Sequence, residues 1–321
     1  MTDSIRRPLT PGIYAPTVIF FDPKTEDLNI ADIKQHTAQL ARAGLAGIVA
    51  NGSNGEAVHL SREERSIVTR ATREALDEVG FTKIPVIVGA SEQSVRGSIQ
   101  LCRDAKEAGG DYVLVMPPSF YKWAVNSQVL YDFFVKVADS SPLPVILYNF
   151  PGAVSGVDLD SDLMIQLLQH RNIVGVKFTC GNSGKLARVA RAVQKGTVKA
   201  GEELGRETML FAGIADFLTP ALSFGGAGVI AGGANVFPKT CVRVYNLYAE
   251  GKIAEANALQ LELAEADWAL TKLNFPGSKI ILEHFYGFQG APRQPVPKPT
   301  DAELKAVLKD LKPMLDFEMS L

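Results

Sequence analysis

The group with the clearest chemical potential in this chain is a lysine amine at the end of a short apolar segment. Residues 172–179 have the sequence Asn-Ile-Val-Gly-Val-Lys-Phe-Thr, which predicts a strand that ends near Lys177. An unperturbed amine is almost entirely protonated at pH 7, but burial disfavours the ammonium form. A neutral amine can add to a ketone, and the resulting iminium lets a neighbouring C–C bond break or form. The segment therefore indicates Schiff-base chemistry on a 2-oxo acid, with an exposed strand-end lysine as the alternative.

Three further segments supply groups that such chemistry needs. Tyr148 closes the apolar segment before the lysine strand, where a phenol could serve as acid and base. Ser53 and Asn54 lie in a Gly-rich turn, residues 52–56, whose hydroxyl, amide and backbone N–H groups suit a carboxylate. Tyr121 lies in a Pro-containing loop after another apolar segment. Each also has a purely structural explanation, as a packed aromatic residue or an ordinary turn.

Other conspicuous features favour structure over chemistry. The glycine-rich runs 225–228 and 231–233 contain no Lys or Arg, so close backbone packing is favoured over phosphate binding. Trp123 and Trp268 are expected in the core or at subunit contacts. The charged run 62–65 is expected on a solvated helix face.

Apolar segments alternate with helical segments along most of the chain. The apolar segments are continuous and rich in Val and Ile, as expected for parallel strands buried on both faces. Eight strands are predicted, at residues 13–21, 46–50, 84–88, 112–116, 145–148, 173–177, 208–212 and 228–231. Helical spacing and capping signals predict helices at 29–43, 61–79, 91–108 (capped by Ser91), 127–139, from 158 or 161, 181–193 and 214–224. The polar segment 196–207 is expected to be a surface excursion.

This alternation predicts an α/β fold. A (β/α)8 barrel is favoured over an open doubly wound sheet, because about eight units follow one another and no G-x-G-x-x-G follows the first strand. The candidate groups all follow strands, and the loops at the carboxyl ends of barrel strands line the active site. After residue 237 the pattern is helical, at 238–270, 277–286 and 301–315. We therefore expect a barrel over residues 1–237 and a helical C-terminal region over 238–321, packed on the barrel.

Composition and charge exclude several classes of protein. The 321 residues carry a net charge of −2, which gives no support to nucleic-acid binding. Three distant cysteines favour a reducing compartment over disulfides. Four scattered histidines give little support to a zinc site, although a magnesium site built from carboxylates stays open. The N-terminus has no apolar signal segment, and no apolar run approaches the ~20 residues of a membrane helix. We expect a cytoplasmic protein without cofactor, metal or membrane partner.

Three motifs together resemble one family. They are Gly-Ser-Asn-Gly-Glu at 52–56, Tyr-Asn-x-Pro at 148–151 and Val-Gly-x-Lys at 174–177, in this order and spacing. The chain is similar to the pyruvate-dependent class I aldolases and lyases that include dihydrodipicolinate synthase and N-acetylneuraminate lyase. The resemblance covers roughly residues 13–238. It implies a (β/α)8 barrel, a homotetramer and a small-molecule 2-oxo acid as substrate.

The resemblance also implies roles for individual residues. Lys177 would form the Schiff base, Tyr148 would shuttle protons, and Tyr121 would match the tyrosine that one subunit lends to the next, a position that Phe120 could also occupy. The substrate-binding positions carried over are Ser53, Asn54, Gly213 and Ile230.

Departures from the family pattern bear on the substrate. In dihydrodipicolinate synthases an arginine after Tyr-Asn-x-Pro binds the carboxylate of the aldehyde partner, whereas residues 152–156 here are Gly-Ala-Val-Ser-Gly. A second anionic group therefore lacks its bidentate partner. We expect cleavage of a 2-keto-3-deoxy sugar acid, such as L-threo-3-deoxy-hexulosonate, to pyruvate and glyceraldehyde in carbohydrate catabolism. The alternatives are a 4-hydroxy-2-oxoglutarate aldolase that yields glyoxylate, then dihydrodipicolinate synthase, or a barrel that binds a sugar acid without turnover.

Overall fold

A closed barrel of eight parallel strands forms the centre of the molecule. The computed structural model describes residues 7–198 and 207–321. The strands pair in chain order, and the first strand pairs with both the second and the eighth. Helices lie between successive strands, and further helices follow the eighth. The predicted fold class, a (β/α)8 barrel with a C-terminal helical extension, is confirmed.

The strands and helices have the following bounds. The strands are β1 (Gly12–Pro16), β2 (Gly47–Ala50), β3 (Val86–Gly89), β4 (Tyr112–Val115), β5 (Val145–Asn149), β6 (Ile173–Phe178), β7 (Met209–Ala212) and β8 (Gly228–Ile230). The helices are α1 (Ile30–Arg42), α2 (Arg62–Glu78), α3 (Val95–Glu107), α4 (Ser127–Ser140), α5 (Ser161–Leu167), α6 (Ser183–Gln194), α7 (Leu218–Ser223), α8 (Pro238–Ala249), α9 (Ile253–Tyr286) and α10 (Asp301–Ser320).

Two apolar layers hold the barrel together, as continuous strand hydrophobicity requires. Alternate strand residues such as Val49, Ile146 and Phe211 fill the barrel interior. The residues between them, such as Ile48 and Leu147, pack against the surrounding helices. Both layers are almost fully buried. The barrel is therefore a packed core, and its chemistry must lie at the strand ends.

Several predicted elements differ from the observed ones: the predicted helix 238–270 is divided into α8 and α9, and the helix predicted from residue 214 begins at Leu218. The first strand ends at Pro16 and not at residue 21, because the chain then crosses the barrel end and the Val18 amide bonds to the Asn235 side chain. Helix α3 is capped by Ser94, which accepts a hydrogen bond from the Gly97 amide. Ser91 instead accepts a hydrogen bond from the Met116 amide. The predicted excursion at 196–207 lies mostly outside the described residues, as do residues 1–6.

The helical C-terminal region packs against the strand ends of the barrel. Helix α9 contains one non-helical residue, Asn274, which kinks it, so the predicted helix at 277–286 is its second half. The Gln260 side chain of α9 bonds the Thr219 amide and the Ala215 carbonyl next to β7. Helix α8 directly follows β8 and completes the strand–helix alternation. The division at residue 237 stays a prediction.

Within residues 7–198 and 207–321, no helix combines the length and apolar character needed to cross a bilayer.

Candidate active site

Lys177 lies near the end of β6 and is almost fully buried, with 3% of its surface exposed. Its amine is 4.3 Å from the centre of the Tyr148 ring. Among the described residues, no hydrogen bond or ion pair joins this amine to a carboxylate. The amine therefore lies inside the barrel, beside the ring of Tyr148, and not in solvent.

A bulge in β6 turns Lys177 into the barrel. Val145 pairs with Ile173, but the next residue of β5, Ile146, pairs with Gly175, so β6 contains one extra residue. Ile173 faces the helices, and in a regular strand Lys177 would face the same way. The extra residue reverses the alternation, as bulges near active sites often do. Sequence periodicity alone gave no signal of this bulge.

Tyr148 connects Lys177 with the Gly-rich turn after β2. Tyr148 pairs with Lys177 across β5 and β6. Its hydroxyl lies 3.4 Å from the Ser53 hydroxyl, and either atom could be the donor. The ring stacks on Phe150, with 5.9 Å between ring centroids. Tyr148 therefore contacts the amine through its ring and the serine hydroxyl through its own hydroxyl.

The residue after Tyr148 anchors this strand end. Asn149 is fully buried, and its amide nitrogen donates to the Asp158 carboxylate. The oxygen of the same side-chain amide accepts from the backbone N–H of Leu159. Lys185, also buried, pairs with the same carboxylate. These contacts fix the backbone that carries the phenol.

The turn 52–56 is bounded by two non-glycine residues in left-handed conformation. Asn51 has φ 55° and Glu56 has φ 51°. Such conformations cost roughly 1–2 kcal/mol and need compensating contacts. The Asn51 amide nitrogen donates to the Arg65 carbonyl and to the Thr69 hydroxyl. Arg65 is only partly exposed and donates to the Ala57 carbonyl, so the predicted solvated face over 62–65 does not hold for this residue.

The other predicted substrate-binding positions lie around the same end of the barrel. Asn54 approaches the loop after β8, since its amide nitrogen is 2.6 Å from where a Gly232 side chain would begin. Gly213 follows β7, and a Cβ there would lie 2.1 Å from the Thr179 hydroxyl. A glycine is thus needed for β6 and β7 to approach this closely. Ile230 is fully buried in the barrel interior.

Thr179 is a candidate that sequence reasoning missed. It lies two residues after Lys177, just beyond the end of β6. Its hydroxyl is buried and has no hydrogen-bond partner in the part of the chain that the structure describes. Unpaired buried hydroxyls are rare and costly, so this one suggests a hydrogen bond to a bound molecule. The two-residue spacing from the lysine was the available sequence signal.

Tyr121 is placed differently from the other candidates. It lies in the loop after β4 and is 63% exposed. Its ring contacts Phe120 and Trp123, with centroids 5.1 Å and 6.4 Å away. Among the described residues, no hydrogen bond or ring contact joins it to Tyr148. Trp123 and Trp268 are exposed, so the prediction that they could lie in the core is wrong. The alternative prediction, that they lie at subunit contacts, stays a prediction.

The loop after β5 offers little positive charge. This loop begins with a short helical turn, Pro151–Ala153, and continues to the exposed Gly156. One cation beside this loop is Lys122, whose amine is 3.5 Å from where a Gly156 side chain would begin. A single flexible ammonium binds a carboxylate less specifically than a guanidinium does.

Two carboxylates lie beneath the loops after β7 and β8. Asp267 of α9 is buried and accepts hydrogen bonds from the Ala215 and Asp216 amides. Burial and the nearby Asp216 carboxylate raise the pKa of Asp267 to about 7. Burial also raises the pKa of Asp216. Among residues 7–198 and 207–321, no three His, Cys, Asp or Glu side chains are arranged to hold a metal ion.

This geometry suits an amine nucleophile served by one phenol. The amine and the phenol share an almost dry site at the barrel mouth. Hydroxyl and amide donors from the turn 52–56 face the same opening. Such a site can bind a carboxylate beside a ketone and hold the ketone carbon near the amine.

Comparisons with known proteins agree with this geometry. Residues 10–314 match the model of the Dihydrodipicolinate synthetase family. An Aspergillus niger protein named L-threo-3-deoxy-hexylosonate aldolase is 50% identical, over 98% of each chain. An Emericella nidulans protein named "Probable 4-hydroxy-2-oxoglutarate aldolase, mitochondrial" is 48% identical, over 98% of each chain.

Solved structures give the same result. A dihydrodipicolinate synthase family protein from Coccidioides immitis has a TM-score of 0.85 and 37% identity, covering 99% of this chain and 100% of that one. A prophage protein of that family from E. coli K12, solved in complex with pyruvate, has a TM-score of 0.83 and 27% identity, covering 95% and 99%. On these matches and on its barrel, the chain belongs to the dihydrodipicolinate synthetase family.

Proposed function

We propose that this protein is a class I aldolase that cleaves L-threo-3-deoxy-hexulosonate, or a close 2-keto-3-deoxy sugar acid, to pyruvate and glyceraldehyde. The observation that carries the proposal is the buried Lys177 amine, without a counter-charge among the described residues, 4.3 Å from the Tyr148 ring centre. The 50% identity to the Aspergillus niger aldolase over nearly the whole chain supports the substrate.

The proposed reaction begins with carboxylate binding and ends with hydrolysis. Ser53 and Asn54 bind the substrate carboxylate, and Lys177 adds to the C2 ketone and forms an iminium with loss of water. Removal of the C4 hydroxyl proton breaks the C3–C4 bond, and the electrons move into the iminium to give an enamine. Tyr148 takes up that proton and returns a proton to C3. Hydrolysis of the new iminium frees pyruvate and the amine.

Thr179 has a proposed role in this scheme as well. Its buried hydroxyl has no partner among the described residues, follows the proposed Schiff-base lysine by two positions and would hydrogen-bond a substrate hydroxyl. A site that pairs a substrate hydroxyl discriminates strongly against substrates that lack one.

A second candidate is the 4-hydroxy-2-oxoglutarate aldolase reaction, which yields pyruvate and glyoxylate. The Emericella nidulans relative carries that name, and the Lys122 amine lies beside the loop that would face the second carboxylate. The sugar-acid reaction is preferred because a neutral aldehyde needs no cation there, and one mobile ammonium is a weak substitute for arginine. The dihydrodipicolinate synthase reaction ranks below both for the same reason.

A trapping experiment tests the proposed nucleophile. Borohydride added with pyruvate should reduce the iminium and add one pyruvate-derived mass to the peptide that contains Lys177. The Lys177→Arg variant should gain no such mass and should not release pyruvate from the sugar acid. An unmodified Lys177 in folded, active protein would refute the proposal. The two substrates are then ranked by kcat/KM in a coupled pyruvate assay.

We also propose a homotetramer, as the family resemblance implies. Its support is the exposed aromatic patch formed by Phe120, Tyr121 and Trp123, which is unusual on a surface that meets only water. The cytoplasmic location stays a prediction, and the Emericella nidulans relative is named mitochondrial.

A further inference from the structure

A buried ion pair joins the turn 52–56 to the C-terminal helices. The Lys279 amine of α9 donates to Oε1 of Glu56 at 2.7 Å, and both side chains are completely inaccessible to solvent. The two residues are 223 positions apart in the sequence. Glu56 is the last residue of the turn that carries Ser53 and Asn54. The pair therefore ties the proposed carboxylate-binding turn to an element outside the strands.

The second carboxylate oxygen of Glu56 is also occupied. Oε2 accepts from the Arg293 backbone amide at 3.0 Å, and His59 Nδ1 lies 3.0 Å away. The Arg293 guanidinium, which pairs with Glu64, lies 4.4 Å from the centre of the Phe21 ring. The two carboxylate oxygens of Glu56 therefore have three partners: the Lys279 amine, the Arg293 backbone amide and the His59 ring.

Stability alone is a poor explanation for this arrangement. Burial lowers the pKa of Lys279, and the attraction of Glu56 opposes that effect. Removing two charges from water costs several kcal/mol per ion, so buried pairs are often no more stabilising than apolar side chains. What such a pair provides is a defined geometry. Here it holds Glu56 in a left-handed conformation that a glutamate rarely adopts.

We propose that Glu56 and Lys279 are positioning residues for the aldolase site. Their ion pair fixes the end of the turn and thereby holds Ser53 and Asn54 where the 2-oxo-acid carboxylate binds. Ser53 itself has one side-chain contact in the described structure, the 3.4 Å approach to Tyr148, which is too weak to hold the turn. This inference rests on the proposed function.

Three variants test the proposal: Glu56→Gln, Lys279→Met and the double variant. Each single variant leaves one unpaired buried charge and is expected to be less stable. The double variant leaves none, and its glutamine can still accept from the Arg293 amide, so it should fold. We expect KM to rise about tenfold or more in the double variant and in each single variant that folds. The pyruvate concentration needed for half-maximal borohydride trapping should rise by the same factor. kcat should change by less than about threefold, since Lys177 and Tyr148 are untouched.

The matched control is Glu318→Gln. Glu318 is also buried and accepts from the Thr240 amide and hydroxyl, but it joins α8 to α10 and makes no hydrogen bond to the turn 52–56 among the described residues. The Glu318→Gln substitution should lower Tm and leave KM unchanged. A double variant that folds with wild-type KM would overturn the inference, as would a fall in kcat at constant KM. Failure of the proposed function would appear differently, as absence of a pyruvate adduct in the wild-type protein.

Discussion

Lys177, the nucleophile that we propose, has its amine 4.3 Å from the centre of the Tyr148 ring. The amine is buried against an aromatic face, and no described carboxylate reaches it. The same ring carries the hydroxyl that we propose as the proton shuttle. In this proposal one tyrosine has two roles, because its ring contacts the nucleophile and its hydroxyl carries the proton.

Tyr148→Phe separates these two roles. Phenylalanine retains the ring beneath Lys177 and the stacking on Phe150, but it has no hydroxyl to exchange protons with the substrate. We expect kcat to fall by about 10²–10⁴-fold, the usual contribution of a general acid–base group, while pyruvate can still be trapped on Lys177. Steady-state kinetics and borohydride labelling of the same preparation check both statements. A variant with nearly full kcat would assign proton transfer to another group.

At the scale of elements, the bulge in β6 gives the lysine its direction. The extra residue needs space, and Gly175 provides it: a Cβ there would lie 2.3 Å from the Met209 carbonyl oxygen of β7. Without the bulge, Lys177 would face the helices and would have no route to a substrate. A single glycine in the motif Val-Gly-x-Lys thus serves the chemistry through backbone packing.

Gly175→Ala should therefore impair catalysis more than its size suggests. The added methyl group must push β6 from β7, and a displacement of about 1 Å at a nucleophile can cost 10²-fold in rate. We expect a clear fall in kcat together with a lower Tm, measured by pyruvate release and thermal unfolding. The control is Gly184→Ala in α6, where the nearest atom is 3.5 Å away and neither quantity should fall. Wild-type kcat in Gly175→Ala would contradict the role given to the bulge.

The Asp267 carboxylate links α9 to the loops after β7 and β8 and should make stability depend on pH. The pKa of Asp267 is about 7 in the folded protein, against 3.8 for an unperturbed aspartate. The folded state thus keeps a proton that the unfolded state has lost. Its stabilising effect is complete below about pH 4 and is lost as the pH rises through 7, a cost of roughly 4 kcal/mol.

Asp267→Asn removes this titration. Asparagine can still accept from the Ala215 and Asp216 amides but cannot ionise. We expect the variant to gain stability relative to wild type between about pH 5 and pH 8 by a few kcal/mol. Urea unfolding of both proteins at pH 5 and at pH 8 measures the difference in their free energy of unfolding. The same difference at both pH values would mean that Asp267 does not change protonation in this range.

Sequence reasoning located most strand ends well, although not that of β1, because strand hydrophobicity and turn residues are local signals. It therefore placed Lys177, Tyr148 and Ser53 at one end of the barrel. It did not find the bulge, which changes side-chain direction without changing composition. It also missed the partner of Glu56, since nothing local links that residue to Lys279. Pairings between distant residues depend on the packed fold and leave no periodic trace.

At the scale of the whole molecule, the aromatic patch is the most conspicuous exposed surface near the barrel mouth. Trp123 is 87% exposed and Phe120 is 76% exposed. Aromatic residues are enriched at subunit interfaces and form their most sensitive contacts. The patch lies in the loop after β4, close in the fold to the strand ends that form the site.

Trp123→Lys should weaken self-association. A charge at the centre of an apolar interface must be desolvated without a partner, which costs several kcal/mol. We expect a smaller sedimentation coefficient at micromolar concentration and reduced kcat, because Tyr121 would no longer reach the neighbouring subunit. Met319→Lys, an equal charge change at the end of α10, serves as the comparison. An unchanged sedimentation coefficient would exclude this patch as the interface.

The ion pair between Glu56 and Lys279 also has a consequence during synthesis. The ribosome adds about 5–20 residues per second, so Glu56 emerges roughly 10–45 seconds before its cation, which lies 223 residues later. During that interval the nascent barrel can form its strands while the carboxylate of the turn has no ammonium to bind. Translation products that stop before α9 should therefore be unable to bind pyruvate tightly, even though every residue that we propose to contact the substrate is already present.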